Sequence, residues 1–132
     1  MTLFVDASAM VAFIAGEAER EIVAAEIASD PDPLWSAMAC WEAVSALRNS
    51  YELTVDEARD EVDRAAAMME LRLVRIDRDE LTLALDAYGR FGKGSGHRAR
   101  LNMGDCFAYA CARTNNARLL YKGDDFVHTD LA

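Results

Sequence analysis

Four acidic residues stand where their neighbours make a charge costly. Asp6 directly follows the apolar run Leu3-Phe4-Val5. Glu42 lies inside Ala39-Cys40-Trp41-Glu42-Ala43-Val44, and Asp105 inside Asn102-Met103-Gly104-Asp105-Cys106-Phe107-Ala108. Asp124 closes the run Leu119-Leu120-Tyr121-Lys122-Gly123, with Asp125 beside it. An Asp at a strand end also forms turns or caps helices, and an Asp in a first helical turn is favoured by the helix dipole. Glu42 and Asp105 fit those ordinary roles less well, because a buried carboxylate without a partner or a metal costs several kcal/mol. Four carboxylates brought together repel by up to about 4 kcal/mol per close pair at an effective dielectric near 20. A divalent cation relieves this, and a donor set of oxygen alone selects Mg²⁺ or Mn²⁺ over zinc. His97 and His128 lie apart and form no cluster that argues otherwise. Such a site suits phosphoryl chemistry. The cation neutralises a phosphate, lowers the pKa of a bound water and stabilises the leaving oxygen. A carboxylate can orient or deprotonate that water.

The elements that must position these acids follow from the apolar pattern. Leu3-Phe4-Val5 reads as a buried strand, followed by a helix over Ala9 to Ala15 with Ser8 as its N-cap. Glu17 to Ser29 reads as a second helix, Leu34-Trp35-Ser36 as a very short strand, and Ala37 to Ser50 as a helix. Thr54 and Glu57 have capping-box spacing, so a helix is predicted from Val55 to about Glu70. Leu71 to Ile76 reads as a strand, and Asp77 with Glu80 starts a helix to about Phe91. Gly92 to Gly96 is a flexible loop, Asn102 to Thr114 a helix, and Arg118 to Lys122 the last strand. Short strands alternating with helices predict an α/β fold with a parallel sheet covered on both faces. Sites in such sheets form at the carboxyl ends of strands, where Asp6 and Asp124 fall.

The chain has 132 residues, 52% of them apolar and 28% charged, which suits one soluble domain spanning 1–132. No apolar run approaches the roughly 18 residues of a membrane span. The N-terminus has no basic region before its apolar stretch, so no secretory signal is expected. The three cysteines, Cys40, Cys106 and Cys111, form no C-x-x-C pair. They are expected to be inert core residues of a cytoplasmic protein. Met68, Met69, Met103, Trp35 and Trp41 are likewise expected in the core. A net charge of -9 makes the chain a poor non-specific nucleic-acid binder, so any such role needs a metal or a local basic patch. Arg90, Lys93, His97, Arg98 and Arg100 supply a patch just before Asp105. They either hold phosphates or form a merely solvated loop.

Taken in order, these segments resemble a known family. Phe4-Val5-Asp6-Ala7-Ser8-Ala9, Glu42 in its mid-chain helix, Leu101 to Ala110 around Asp105, and Leu119 to Phe126 with Thr129-Asp130-Leu131 are similar to the PIN-domain ribonucleases of the VapC toxin type. The likeness runs from residue 4 to 131. It implies a three-layer α/β/α PIN-like domain with a central, mainly parallel sheet. Asp6, Glu42, Asp105 and Asp124 would hold one or two Mg²⁺ or Mn²⁺ ions, supported by Ser8 and Asn102. Where the family often ends its last strand with Thr-x-Asp/Asn, this chain has Lys122-Gly123 and two acids, so Asp125 is the alternative to Asp124. The resemblance implies hydrolysis of RNA, commonly transfer RNA or a ribosomal RNA loop, with Lys93, Arg98 and Arg100 on its phosphates. It also implies a small antitoxin partner, a homodimer, and contact with DNA only through the antitoxin. The apolar faces around Met10 to Ile14 and Trp41 to Leu47 would form a groove for a partner helix. Two other functions compete. A phosphatase with an aspartyl nucleophile would want an Asp two residues after Asp6, where Ser8 stands. A degenerate PIN domain that only binds protein or RNA would lack one or more of the acids.

Overall fold

The computed structural model describes residues 2–131; the two ends of the expected domain, Met1 and Ala132, lie outside the described residues. Leu3, Phe4 and Val5 are all buried, as a strand covered on both faces requires. They form β1 (Leu3–Val5), followed by α1 (Ala7–Ile14), α2 (Arg20–Ala28), β2 (Leu34–Ser36), α3 (Ala37–Tyr51) and α4 (Val55–Met68). The chain continues through β3 (Arg72–Val74), α5 (Arg78–Phe91), α6 (Met103–Thr114) and β4 (Arg118–Leu120). The strands form one sheet in the order β3-β2-β1-β4, and every pairing is parallel. Among the described residues six helices cover it, which gives the three-layer α/β/α arrangement. Phe4 pairs with Leu34 on one side and Leu119 on the other, so β1 lies at the centre. The order reverses at β1, and a crevice opens beyond the carboxyl ends of β1 and β4.

The helix ends follow from local chemistry. Thr54 with Glu57, and Asp77 with Glu80, close the two expected capping boxes. A third box joins Asn102 and Asp105 at the start of α6. The first helix starts two residues earlier than expected. Asp6, not Ser8, is its N-cap, and the Asp6 side chain accepts the Ser8 backbone N–H at 3.0 Å. The second helix begins only at Arg20, because residues 15–19 turn. β3 and β4 are shorter than their apolar runs. Leu73 and Ile76 of the run at the sheet edge are exposed.

Candidate active site

Asp6 follows β1 and is held by Leu120 and Ser8. Its backbone N–H donates to the Leu120 carbonyl of β4 at 2.9 Å. The Ser8 hydroxyl donates to Asp6 Oδ2 at 2.6 Å and accepts the Lys122 backbone N–H at 2.9 Å. Ser8 thus ties Asp6 to the residue that follows β4. Lys122 Nζ in turn reaches Glu17 Oε1 at 2.8 Å, and the Tyr51 hydroxyl donates to Glu17 Oε2 at 3.0 Å. These bonds fasten the turn after α1 and the end of α3 to the same rim.

Asp105 is fixed by its own helix start. Its backbone N–H donates to Asn102 Oδ1 at 2.8 Å, and Asp105 Oδ2 accepts the Asn102 backbone N–H at 3.1 Å. Asn102 therefore orients Asp105 through the backbone. Glu42 comes from the first half of α3 and lies against the first turn of α6. A Cβ on Gly104 would overlap the Glu42 carboxylate.

Asp6, Glu42, Asp105 and Asp125 line one cleft of about 280 Å³, together with Ser8, Asn102, Glu17 and Lys122. The expected Asp124 is not among its lining residues. Gly123, at φ 99°, turns the chain after β4. Asp125 then falls on the cleft, and both acids line the adjoining hollow. The electrostatics agree with this placement. Burial pushes Glu42 up to about 7, and the charges of Asp6, Asp105 and Asp125 add to the shift. Burial likewise pushes Asp105 up to about 7, with Asp125 and Asp6 adding and the Asn102 N–H and Lys93 opposing. Burial also raises Asp6, against the two hydrogen bonds from Ser8.

Every donor in this set is oxygen, and the charges of Asp6, Glu42 and Asp105 are destabilised by desolvation and by their neighbours. That chemistry fits a hard divalent cation. Among the described residues no three His, Cys, Asp or Glu side chains are gathered as a ready metal cage. The acids share a cleft without being drawn onto one point.

The basic segment lies next to this cleft. Lys93, Arg98 and Arg100 line the adjoining hollow of about 420 Å³ with Asp124, Asp125 and His128. The loop is built rather than merely flexible. Lys93 N–H donates to the Leu101 carbonyl at 3.0 Å, and Leu101 N–H to the Phe91 carbonyl at 2.8 Å. His97 Nδ1 accepts the Ala99 N–H at 3.0 Å, and its ring stands edge-on to Phe91. His97 is thus a loop-shaping residue away from the carboxylates. Arg90 instead pairs with Asp86 at 3.3 Å and approaches Asp130.

Several core expectations change. Trp35 is buried, but Trp41 is 67% exposed, and Met68 and Met103 are exposed as well. Met10 and Phe13 are buried, and Ile14 lines a hollow of about 410 Å³ with Leu47, Tyr51 and Leu53. The apolar groove, about 690 Å³, runs instead between α3, α4 and β3, lined by Trp41, Val44, Val55, Leu71 and Leu73. Cys106 and Cys111 are buried and burial pushes their thiols up to about 11 and about 12, which keeps them inert at neutral pH. Cys40 is partly exposed. Sequence reasoning missed Lys122 and Gly104. The signals were a lysine directly after the last strand and a lone glycine inside an apolar helix.

Comparison with known proteins agrees with this architecture. The PIN domain family model matches residues 3–131. The chain belongs to the PIN domain family. Its relatives lie in the VapC branch. Ribonuclease VapC42 of Mycobacterium tuberculosis (strain ATCC 25618 / H37Rv) is 33% identical over 129 residues, covering 98% of this chain and 96% of the relative. A VapC ribonuclease of Rhizobium meliloti (strain 1021) is 37% identical over 139 residues, covering 97% and 98%. Among solved structures, VapC20 of M. tuberculosis, described as a sarcin-ricin loop cleaving toxin, superposes with a TM-score of 0.69. That match covers 95% of this chain and 92% of VapC20 at 20% identity, and so bears on the fold. No described helix is long and apolar enough to cross a membrane.

Proposed function

We propose that this chain is a divalent-metal-dependent endoribonuclease, the toxin of a VapBC-type pair, and that it hydrolyses RNA phosphodiesters at the cleft of Asp6, Glu42, Asp105 and Asp125. The observation that carries the reading is the convergence of four acids from β1, α3, α6 and the turn after β4 on one cleft. All four positions are filled, which favours hydrolysis over a degenerate binding module. The family relationship supports RNA as the substrate.

Asp6, Glu42, Asp105 and Asp125 would hold Mg²⁺ or Mn²⁺. The ion, when bound, neutralises the scissile phosphate and lowers the pKa of a bound water. The chain supplies the rest. Ser8 and Asn102 keep Asp6 and Asp105 in place, so little reorganisation is needed when substrate arrives. Glu42 would serve as a ligand or orient the attacking water. Lys93, Arg98 and Arg100 would take up the flanking phosphates from the adjoining hollow. The small cleft suits a single strand such as a loop of transfer or ribosomal RNA.

The same reading gives the protein a cytoplasmic setting and a small antitoxin whose apolar segment occupies the groove at Trp41 and Leu73. It also gives a homodimer within that complex, with DNA reached only through the antitoxin. The test is cleavage of total RNA and of transcribed loop substrates, with Mg²⁺, with Mn²⁺ and with EDTA. Cleavage must need the metal and must vanish in Asp6→Asn. Metal-independent cleavage, or full activity in that variant, would refute the assignment.

A further inference from the structure

We infer that Gly104 is a positioning residue of the carboxylate site, because the space its missing side chain leaves is occupied by the Glu42 carboxylate. The inference rests on the nuclease reading of the cleft, but its core test is independent of activity. Gly104 sits inside α6 and is buried. It is not among the glycines with positive φ, so the backbone there does not call for glycine. A glycine in a helix interior weakens the folding equilibrium about fivefold relative to alanine, and less than that in a first turn. Its presence therefore needs another cause, and the geometry provides one. A Cβ built at Gly104 would overlap both oxygens and the carboxyl carbon of Glu42. Gly89 in α5 is the internal contrast, since a Cβ there meets nothing within 4 Å.

The consequence reaches the chemistry through Glu42. With no side chain at position 104, the Glu42 carboxylate rests against the first turn of α6, whose N–H groups carry the positive end of the helix dipole. That brings it within the field of Asp105, the next residue along. Any side chain at 104 would push the carboxylate out of the shared cleft. Gly104 thus sets the spacing between the acid of α3 and the acid of α6.

The experiment is a double-mutant cycle read by denaturant unfolding in EDTA, with full-length protein. Gly89→Ala should strengthen the folding equilibrium about fivefold, the ordinary helix gain. Gly104→Ala should depart from the ordinary gain, because the Glu42 carboxylate, the far end of a flexible side chain, has to move. Gly104→Ala made in a Glu42→Ala background should strengthen the folding equilibrium, by no more than about fivefold. If the single variant does not fold while the double variant does, the coupling is also established. Equal effects of Gly104→Ala in both backgrounds, or failure of both to fold, would overturn the inference. A second readout is the Mn²⁺-induced rise in melting temperature. It should shrink in Gly104→Ala and recover in part when the shorter Glu42→Asp is added, an outcome that general destabilisation would not produce. Loss of the nuclease reading would show differently. The stability cycle would still couple, while the wild type would cleave no RNA.

Discussion

Replacing Asp105 by asparagine removes one charge from the cleft and leaves a carbonyl oxygen to accept the Asn102 N–H. The folded protein holds Asp105 at about 7 against an ordinary value of 3.8. A difference of about 3 units, at about 1.4 kcal/mol each, sets a ceiling of about 4 kcal/mol on the cost of its charge. The sign follows from proton linkage. Because the folded value lies above the unfolded one, the native state binds more protons between about pH 4 and pH 7, and stability falls as pH rises through that window. Asparagine forfeits the favourable charge at the helix start, about 0.5–1 kcal/mol, and buries an amide at about 1 kcal/mol. The net expectation at pH 8 is a gain of about 2 kcal/mol, or about 8 °C in melting temperature for a domain of this size. Near pH 4, where Asp105 is protonated, the gain should turn into a loss of about 1 kcal/mol from the buried amide. Excess Mg²⁺ should reverse the order at pH 8, since saturation to a hundredfold over Kd stabilises the wild type by about 2.7 kcal/mol. Urea unfolding from pH 4 to 8, with EDTA and with Mg²⁺, measures all of this. Parallel pH profiles for wild type and variant would refute the claim that buried mutual repulsion governs this cleft.

Asp125→Asn should lower RNA cleavage on the order of a hundredfold, the scale for losing one electrostatic contact at a reacting centre, while Asp124→Asn should stay within a few-fold. Single-turnover rates would separate the two acids. Arg98→Ala and Arg100→Ala should each weaken RNA binding, reduce the slope of log affinity against log salt by about one, and leave kcat nearly unchanged. Salt titrations of binding to uncleavable RNA would show it. Thr54→Ala opens the capping box of α4 and should cost about 1 kcal/mol in chemical unfolding without altering the metal response.

The order of elements and three of the four cleft acids were legible because burial imposes period and composition. Leu3-Phe4-Val5 must be covered on both faces, and Glu42 and Asp105 interrupt runs that are otherwise apolar. The fourth acid was not legible. Asp124 and Asp125 are adjacent, and only the turn at Gly123 decides which one lines the cleft. The cap of α1 was misread for a related reason. Asp6 and Ser8 are both good N-caps, and the Ser8 hydroxyl is engaged with Asp6 and Lys122. Trp41 shows the opposite limit. Helical spacing placed it in the core, but the groove beside it is left open. The role of Gly104 needed three-dimensional contact with a residue from another helix, which spacing along the chain cannot show.

The pairing of β1 with β4 joins segments that lie more than a hundred residues apart. Asp6 finds the Leu120 carbonyl for its N–H only when that last strand is in place, and Asp125 follows it. Contacts of such long range form late, and a chain emerging N-terminus first makes β1 several seconds before β4 exists. The acidic cleft is therefore assembled last. A chain still being synthesised, or one cut short before β4, carries Asp6, Glu42 and Asp105 without the strand and turn that complete the site. On the nuclease reading, the order of synthesis itself keeps an unfinished toxin from attacking RNA at the ribosome that is making it.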